Sequence, residues 1–334
     1  MIVHAWENYR TQREPDIPQA FIELLAEVQA AVADVRTALH DVAVEVVGAR
    51  ERQAAERERA DRMERQLAEL YDQVPTVLRA LVTEEAANRR RLEQLRRAPD
   101  YARSFDEPDP LVTVSIPTHD RVELLTERAL PSVLAQTYPN LDVLVVGDRS
   151  PPRVAEAVER IRDERVRFVN LTHRHAFTDP ERHWLVGSVP GRNAGYEHAR
   201  GAWIVDFDDD DEMRPHAIES VLTKAREERL EVVYGKLLKH EADDRTEVIG
   251  RFPPAGHQFS WQGAAVHGGL RFLGRDSVAA AFGHPNDWFR AETMMRIGVR
   301  FGMVDEIVYD YYPARAWERT TPIPEEASIP EPEW

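Results

Sequence analysis

The sequence predicts an α/β fold with a mostly parallel central sheet, preceded by a long α-helical coiled coil. After residue 110, short apolar runs alternate with helical patterns, which is typical of strand–helix–strand units. Before residue 98, apolar residues recur at alternating spacings of three and four, which is the heptad pattern of a coiled coil. A stretch rich in Pro, Asp and Glu separates the two regions, as expected of a linker.

The composition restricts the class of protein. The chain has 334 residues, no cysteine and a formal net charge of -16. Without cysteine there are no disulfides and no thiolate metal ligands. The acidic balance disfavours a nucleic-acid-binding protein, because such proteins present a basic face to phosphate. No signal peptide follows Met1, and no apolar run approaches the ~20 residues of a membrane span. We therefore expect a cytoplasmic protein without a transmembrane segment.

Residues 1–98 are the predicted helical and coiled-coil region. Pro75 is expected to end a first helix, because proline lacks the amide hydrogen that a helix interior needs, and a second helix continues to Arg97. The apolar seam is narrow, which favours self-association into a homo-oligomer through residues 18–97. The alternative is a helical hairpin that packs on the following domain. The clearest seam positions are Phe21, Leu25, Val28, Val32, Val35, Leu39, Val42 and Val46.

The predicted domain boundaries follow the changes in composition. They are a linker at 99–110, an α/β domain at 111–315 and a Pro- and Glu-rich tail at 316–334. Within the domain, apolar runs predict strands and amphipathic runs predict helices. The predicted strands are 111–116, 142–146, 166–170 and the run that begins at Trp203, and the predicted helices are 122–136, 154–162 and 191–200.

The strand that begins at Trp203 runs directly into an acidic segment, Asp208 to Asp211. Four adjacent carboxylates repel one another, and a divalent cation relieves that repulsion. Carboxylate oxygens suit Mg²⁺ or Mn²⁺, and Mg²⁺ is typically held by one or two carboxylates together with substrate phosphates. The pattern therefore predicts a metal–diphosphate site at the end of this strand. The alternative is a solvated acidic turn that opens the next helix, since Asp is a favoured helix cap.

Two other polar loops follow predicted strands. Pro117, Thr118 and Arg121 follow the first strand, and Asp148 follows the second. Ligands bind beyond the carboxyl ends of the strands in parallel sheets, so these loops should meet the acidic segment at one edge. Three loops that converge on one edge predict a ligand site better than any one of them alone.

Several sequence blocks resemble the family 2 glycosyltransferases of the GT-A fold. The blocks occur in the family's order and at compatible spacing, and the resemblance covers residues 111–315. They are 114–121 and 132–140 near its start, 191–195, 199–201 and 207–211 in its centre, and 286–288 and 298–301 toward its end. The resemblance implies a Rossmann-like GT-A domain. It also implies a metal-dependent, inverting transferase that moves a hexose from a nucleotide-diphosphate donor, most often a UDP-sugar, to a hydroxyl acceptor.

The resemblance further implies roles for individual residues. Asp210 and Asp208 would hold Mn²⁺ or Mg²⁺, and Asp208 would also meet the donor. Arg192 would lie beside the diphosphate, and Asp287 would act as the catalytic base. The nucleoside would be lined by Pro117, Thr118, Arg121 and Asp148.

This sequence departs from the family pattern at three places. Gly147 stands where the family often has a second acidic residue before Asp148. Asn286 replaces the Glu that usually precedes the base. The family often has a late His, and here Arg315 is the candidate to replace its contact.

The chemistry of these residues supports the same roles without the family. A departing diphosphate is stabilised by a divalent ion and by a guanidinium such as that of Arg192. Asp287 lies far in sequence from the acidic segment and suits the removal of the acceptor proton from the opposite face of the sugar. Trp261, Gly269 and Trp288 are expected on the acceptor side by position, although large aromatic residues pack in cores equally often.

Two alternatives belong to other functional classes. One is a non-catalytic coiled-coil scaffold whose transferase domain has decayed, and the retained acidic residues argue against it. The other is a sugar-phosphate nucleotidyltransferase, which the lack of a Gly-rich, Lys-bearing loop after the first strand disfavours.

Overall fold

The computed structural model divides the chain into two compact units, residues 1–83 and 84–334. In the first unit, residues 26–38 and 63–64 are helical, which agrees with the helix predicted there. The other positions of the heptad seam lie outside the described residues, so the coiled coil and the homo-oligomer stay predictions. The structure describes residues 26–38, 63–64, 84–172, 187–241, 245–277, 279 and 285–313.

The second unit begins with two helices, α2 at 84–97 and α3 at Pro99–Asp106, after α1 at 26–38 in the first unit. Pro99 opens α3 at a position where its missing amide hydrogen costs nothing. Tyr101 and Phe105 of α3 are buried in the main core, and Leu92 of α2 is buried in a second core. The segment predicted to be a linker therefore starts with a packed helix. For α2, the packing matches the alternative in which the helical region folds onto the following domain.

The buried carboxylate of Glu231 forms hydrogen bonds with side chains of both helices and so links them to the sheet. Glu231 accepts from Arg96 Nε at 2.7 Å and Nη2 at 2.8 Å, and from the Tyr101 hydroxyl at 2.8 Å. Burial opposes ionisation, but these donors and the backbone amide of Arg300 hold the pKa of Glu231 below its usual value. Burial raises the pKa of Tyr101 to about 12, so its hydroxyl keeps the proton that it donates.

The α/β part of the second unit contains the elements predicted between 111 and 206, with boundaries shifted by at most two residues. The strands are β1 Val112–Thr118, β2 Leu141–Gly147, β3 Val166–Asn170, β4 Trp203–Asp206, β5 Glu212–Met213, β6 Val232–His240, β7 Thr246–Ile249, β8 Ala265–His267 and β9 Phe301–Tyr311. The helices are α4 Val122–Leu124 continuing through a π-helical turn Leu125–Ala129 to Leu130–Leu134, α5 Pro152–Arg160, α6 Val189–His198, α7 Ala217–Glu227 and α8 Asn286–Ile297, and a 3₁₀ turn occupies Gly268–Phe272.

The sheet is mixed, which corrects the prediction of a mostly parallel sheet. Among the described strands the order is β3-β2-β1-β4-β8-β6-β9-β5, with β7 beside β6. The pairs β3–β2, β2–β1, β1–β4 and β6–β9 are parallel, whereas β4–β8, β8–β6, β6–β7 and β9–β5 are antiparallel. The predicted strands, β1 to β4, form the half of the sheet in which every pair is parallel, and β6–β9 is a further parallel pair outside it. The five strands after β4 bring in the antiparallel pairs, and none of them is predicted above.

Strand β2 shows why the parallel half was readable from the sequence. Val143 and Val145 point into the main core, while Leu144 and Val146 point into a smaller core on the other face with Ala194 of α6. Because β2 is covered on both faces, its central residues are apolar on both, and they appear in the sequence as the continuous apolar run at 143–146. Within the described part of the chain, no helix is long and apolar enough to cross a bilayer.

Candidate active site

The carboxyl ends of three parallel strands bring the predicted loops together. Ser115 of β1 is in register with Asp206 of β4, and Thr118 at the end of β1 is in register with Gly147 of β2. The backbone amide of Asp148 donates to the Thr118 carbonyl at 2.8 Å. The loops after β1, β2 and β4 therefore meet at one edge of the sheet, as the sequence predicted.

Two arginines and a threonine surround the acidic segment on the β1 side. Thr118 Oγ1 donates to Asp209 Oδ2 at 2.6 Å. Arg121 Nη1 lies 3.3 Å from Asp209 Oδ1 and also donates to the Asp210 carboxylate. Arg128 Nη1 donates to the backbone carbonyl of Asp210 at 2.6 Å. Asp209 is thus held toward β1, whereas Asp210 stays beside the other carboxylates.

Arg192 reaches the same edge from α6. Its side chain is buried, its Nη1 donates to the Phe207 carbonyl at 3.0 Å, and its Nη2 donates to the Asp208 carboxylate. A buried guanidinium with further N–H groups beside an acidic loop suits a phosphate ligand, because charge-assisted hydrogen bonds to phosphate are strong.

The donor set of the acidic segment fits a divalent metal ion. Asp208, Asp210 and Asp211 each offer a carboxylate oxygen, and these oxygens lie within 4.8 Å of one another. Burial, and then the charges of Asp208 and Asp209, raise the pKa of Asp210 to about 7. Burial, and then the charges of Asp208 and Asp210, raise the pKa of Asp211 to about 8. Closely spaced carboxylate oxygens are hard ligands of the kind that Mg²⁺ and Mn²⁺ prefer in proteins.

The sequence did not single out Asp211 as a ligand candidate. The structure holds its carboxylate in place through the backbone amide of Tyr312, at 2.9 Å, and through Gln262 Nε2, at 2.8 Å. Gln262 also accepts from the Asp208 backbone amide at 3.0 Å, so one side chain braces the acidic segment at two points. No sequence pattern identified Gln262, because it lies on a different segment from the carboxylates that it contacts.

A cavity of about 260 Å³ joins the acidic segment to the predicted base. Asp208 and Arg192 line one part of it, and Asp287 lines another. The remaining lining residues are Ser188, Ser260, Trp261, Gln262, Arg275, Pro285 and Asn286. Asp208 and Asp287, which are distant in the sequence, therefore line the same cavity.

Asp287 lies in the first turn of α8. Its Oδ1 accepts from the Trp288 backbone amide at 2.7 Å, and its backbone carbonyl accepts from Trp261 Nε1 at 2.7 Å. The residue that caps α8 is Pro285, so Asp287 lies inside the helix and is not its N-cap. A carboxylate that is partly exposed beside a cavity remains available to accept a proton.

The comparison with known proteins shows which family the central part of this chain resembles. Residues 113–268 match the profile of Glycosyl transferase family 2, a range that includes the loops after β1, β2 and β4 and ends before Asp287. Residues 113–268 are therefore similar to the glycosyl transferase family 2 domain.

The chain spans about half or less of the length of the curated relatives that it matches. "Uncharacterized glycosyltransferase EpsJ" of Bacillus subtilis is 28% identical over 141 residues, which are 42% of this chain and 37% of that protein. "UDP-Glc:alpha-D-GlcNAc-diphosphoundecaprenol beta-1,3-glucosyltransferase WfgD" of Escherichia coli is 26% identical over 144 residues, 43% of this chain and 51% of that protein. Among solved structures, S. aureus TarS 1-349 in complex with UDP has a TM-score of 0.48 and 17% identity, with 61% of each chain covered.

Near Asp148, where the sequence analysis expected the nucleoside, the structure places Asn170, which the sequence did not reveal. A Cβ at Gly147 would lie 2.5 Å from Asn170 Oδ1 and 2.9 Å from Ser150 Oγ, so there is no room for a side chain. Asn170 accepts from the Ser150 amide and donates to the Ser150 carbonyl, at 2.9 and 2.8 Å. These two hydrogen bonds hold Asn170 and Ser150 close to Gly147, so only glycine fits before Asp148. Pro117 lies near α6, 3.1 Å from a Cβ placed at Gly191.

The residues that the sequence analysis expected on the acceptor side separate into three groups. Trp261 lines the cavity but is almost fully buried, and Trp288 lies next to it in the second core. Gly269 lies at the opposite edge of the sheet, because β8 runs antiparallel to β4 and its last residue pairs with Trp203. A Cβ at Gly269 would meet Leu95 of α2 at 2.4 Å, so Gly269 allows helix packing and is not an acceptor contact. Arg315 and the tail at 316–334 lie outside the described residues.

Proposed function

We propose that this chain is a metal-dependent, inverting glycosyltransferase that moves a hexose from a nucleotide-diphosphate donor to a hydroxyl acceptor. The proposal is supported by one observation above all. A single cavity is lined by Asp208 and Arg192, which suit a metal-bound diphosphate, and by Asp287, which suits a catalytic base. A GT-A-like scaffold with the donor at the carboxyl ends of the parallel strands accommodates this arrangement.

The donor side accounts for the departure of the diphosphate. Asp208, Asp210 and Asp211 would hold Mn²⁺ or Mg²⁺, and the ion would neutralise charge on the diphosphate as a Lewis acid. Arg192 is positioned to donate to phosphate oxygens, because its guanidinium already faces the cavity beside Asp208. Both contributions act on the charge that grows as the leaving group separates from the sugar.

The acceptor side accounts for the attack. Asp287 takes the proton of the acceptor hydroxyl, the hydroxyl oxygen forms a bond to the anomeric carbon, and the bond from that carbon to the diphosphate breaks. The electron pair of the broken bond leaves with the diphosphate. One displacement from the face opposite the leaving group inverts the anomeric centre, which distinguishes this mechanism from a double displacement with two carboxylates.

A UDP-sugar is the donor that we propose first. The relative WfgD uses UDP-Glc according to its name. Asp148 lies at the end of β2 beside Thr118, where the resemblance places the nucleotide base. Since Gly147 leaves no room for a second carboxylate, recognition of the base would depend on Asp148 and on backbone groups of this loop.

Calorimetry with four nucleoside diphosphates tests this function. UDP, GDP, dTDP and CDP are titrated into the full chain with Mn²⁺ and again with EDTA. We expect tight binding of one nucleotide, UDP, only when Mn²⁺ is present. Absence of metal-dependent binding for all four would reject the proposal and favour the decayed scaffold.

A further inference from the structure

A guanidinium outside the predicted site connects the two sides of the cavity. Arg275 Nη2 donates to Asp206 Oδ2 at 3.1 Å, and Arg275 Nη1 donates to Asn286 Oδ1 at 2.9 Å. Asp206 ends β4, which leads directly into the acidic segment. Asn286 is the first residue of α8 and directly precedes Asp287. One side chain therefore joins the strand that carries the acidic segment to the helix that carries the proposed base.

Arg275 is itself held firmly. Its backbone amide donates to Asn193 Oδ1 at 2.7 Å, and its carbonyl accepts from Asn193 Nδ2 at 2.8 Å. The side chain is 6% exposed and that of Asp206 is 1% exposed. Charge-assisted hydrogen bonds are strong where water is excluded, so this bridge resists rotation of either partner.

The neighbouring Arg290 differs from Arg275 in the groups to which it donates. Arg290 Nη1 donates to the Tyr196 hydroxyl at 2.8 Å, and its Nε donates to the Leu273 carbonyl at 2.7 Å. Its nearest distance to Asp206 is 3.8 Å. Arg290 therefore fills the buried cluster around Asp206, whereas Arg275 extends from that cluster to Asn286.

We propose that Arg275 is a positioning residue that sets the orientation of Asp287 relative to the acidic segment, acting through Asn286. The proposal rests on the proposed function, in which Asp287 is the base. A guanidinium has donors on two separate nitrogens that can reach two acceptors at once, whereas a lysine ammonium is a single point charge. Lysine at this position would keep a cation beside Asp206 and lose the bridge.

Turnover and donor affinity test the proposal first. The Arg275→Lys chain is compared with the unchanged chain in its UDP affinity with Mn²⁺ and in its rate of UDP release from UDP-glucose, or from the sugar nucleotide that binds best. We expect turnover to fall about 100-fold, because small misplacements of a catalytic group have effects of this size. We expect UDP affinity to stay unchanged. Arg167→Lys is the matched control, since Arg167 forms a similar partly buried pair with Asp142 in the same sheet, and it should retain both.

A double-mutant cycle separates positioning from general destabilisation. If Arg275 acts through Asn286, then Asn286→Ala alone lowers turnover, and the double variant Arg275→Lys with Asn286→Ala is no slower than either single variant. Losses that multiply in the double variant would overturn the proposal.

A structural readout removes the dependence on activity. The Trp261 indole N–H donates to the Asp287 carbonyl at 2.7 Å, so its ¹H–¹⁵N signal, one of seven tryptophan indole signals, reports the position of this residue. We expect Arg275→Lys and Asn286→Ala to move this signal and Arg167→Lys to leave it in place. An unmoved signal in Arg275→Lys would overturn the positioning role. A moved signal in a chain that releases no UDP from any sugar nucleotide would instead reject the proposed function.

Discussion

Gln262 holds Asp211 in the acidic segment: its Nε2 donates to the Asp211 carboxylate at 2.8 Å while its Oε1 accepts from the backbone amide of Asp208. The carboxylate cannot rotate away from its neighbours without breaking this bond. Burial, and then the charges of the neighbouring carboxylates, raise the pKa values of Asp210 and Asp211. The hydrogen bond from Gln262 acts in the opposite direction and lowers the pKa of Asp211.

Metal affinity should depend on pH because of these two carboxyls. Asp210 has a pKa of about 7 and Asp211 of about 8 in the metal-free chain, so both carry protons below those values. A metal ion must displace these protons before it binds. We expect the Mn²⁺ dissociation constant, measured by calorimetry, to fall steadily from about pH 6 to about pH 9. A constant affinity across this range would contradict the involvement of these groups.

Asp210→Asn should stabilise the metal-free chain while weakening its metal binding. The folded-state pKa of Asp210, about 7, is above the ordinary value of 3.8. The ionised carboxylate therefore lowers the free energy of unfolding above pH 7. This effect is absent below pH 3.8, where the carboxyl is protonated in the folded and in the unfolded chain. Thermal unfolding in EDTA near pH 8 should give a higher Tm for the variant, and the difference should vanish on acidification. The control is Asp305→Asn, at a carboxylate with an exposed side chain. A lower Tm for Asp210→Asn near pH 8 would refute the prediction.

Asp287→Asn should remove transfer and keep nucleotide binding. The amide keeps the Oδ1 acceptor that bonds the Trp288 amide, so the start of α8 is preserved, but it no longer accepts a proton. We expect turnover to fall by about 10²- to 10⁴-fold, which is the usual contribution of a general base. UDP affinity with Mn²⁺ should not change. Glu292→Gln, farther along the same helix, is the control, and normal turnover of Asp287→Asn would exclude the base assignment.

Truncation should show that the second compact unit, which begins at residue 84, folds by itself. A chain of residues 84–334 keeps Leu92, Tyr101 and Phe105 in the core and should unfold near the temperature of the full chain. A chain of residues 107–334 loses all three. Removal of one large buried side chain costs about 3–5 kcal/mol, against a total stability of about 5–15 kcal/mol, so this chain should not fold. Equal thermal stability of the two truncated chains would show that α2 and α3 are dispensable.

The same pair of chains tests self-association. If residues 18–97 form the predicted coiled coil, the full chain sediments as an oligomer and the 84–334 chain as a monomer. Removal of residues 1–83 is a better test than removal of the whole predicted coiled coil, because it keeps α2, whose Leu92 is buried in the second core. A full chain that already sediments as a monomer would show the predicted self-association to be wrong.

The sequence by itself determined the parallel half of the sheet and the edge where the site lies. Strands buried on both faces, such as β2, appear in the sequence as apolar runs. The acidic segment comes soon after another buried strand, β4. Loops at the ends of neighbouring parallel strands must meet at one edge, so Thr118, Asp148 and Asp208 could be grouped before any contact was known.

Only the tertiary structure decided the antiparallel half and the residues that support the site. The direction of β8 beside β4 places Gly269 at the far edge, and nothing in the local sequence fixes that direction. Gln262 and Arg275 gain their roles from acceptors on other strands and helices. The physical reason is that the local sequence pattern depends on which faces of a helix or strand are buried. The neighbouring strand or the hydrogen-bond partner depends instead on contacts between segments far apart in the chain.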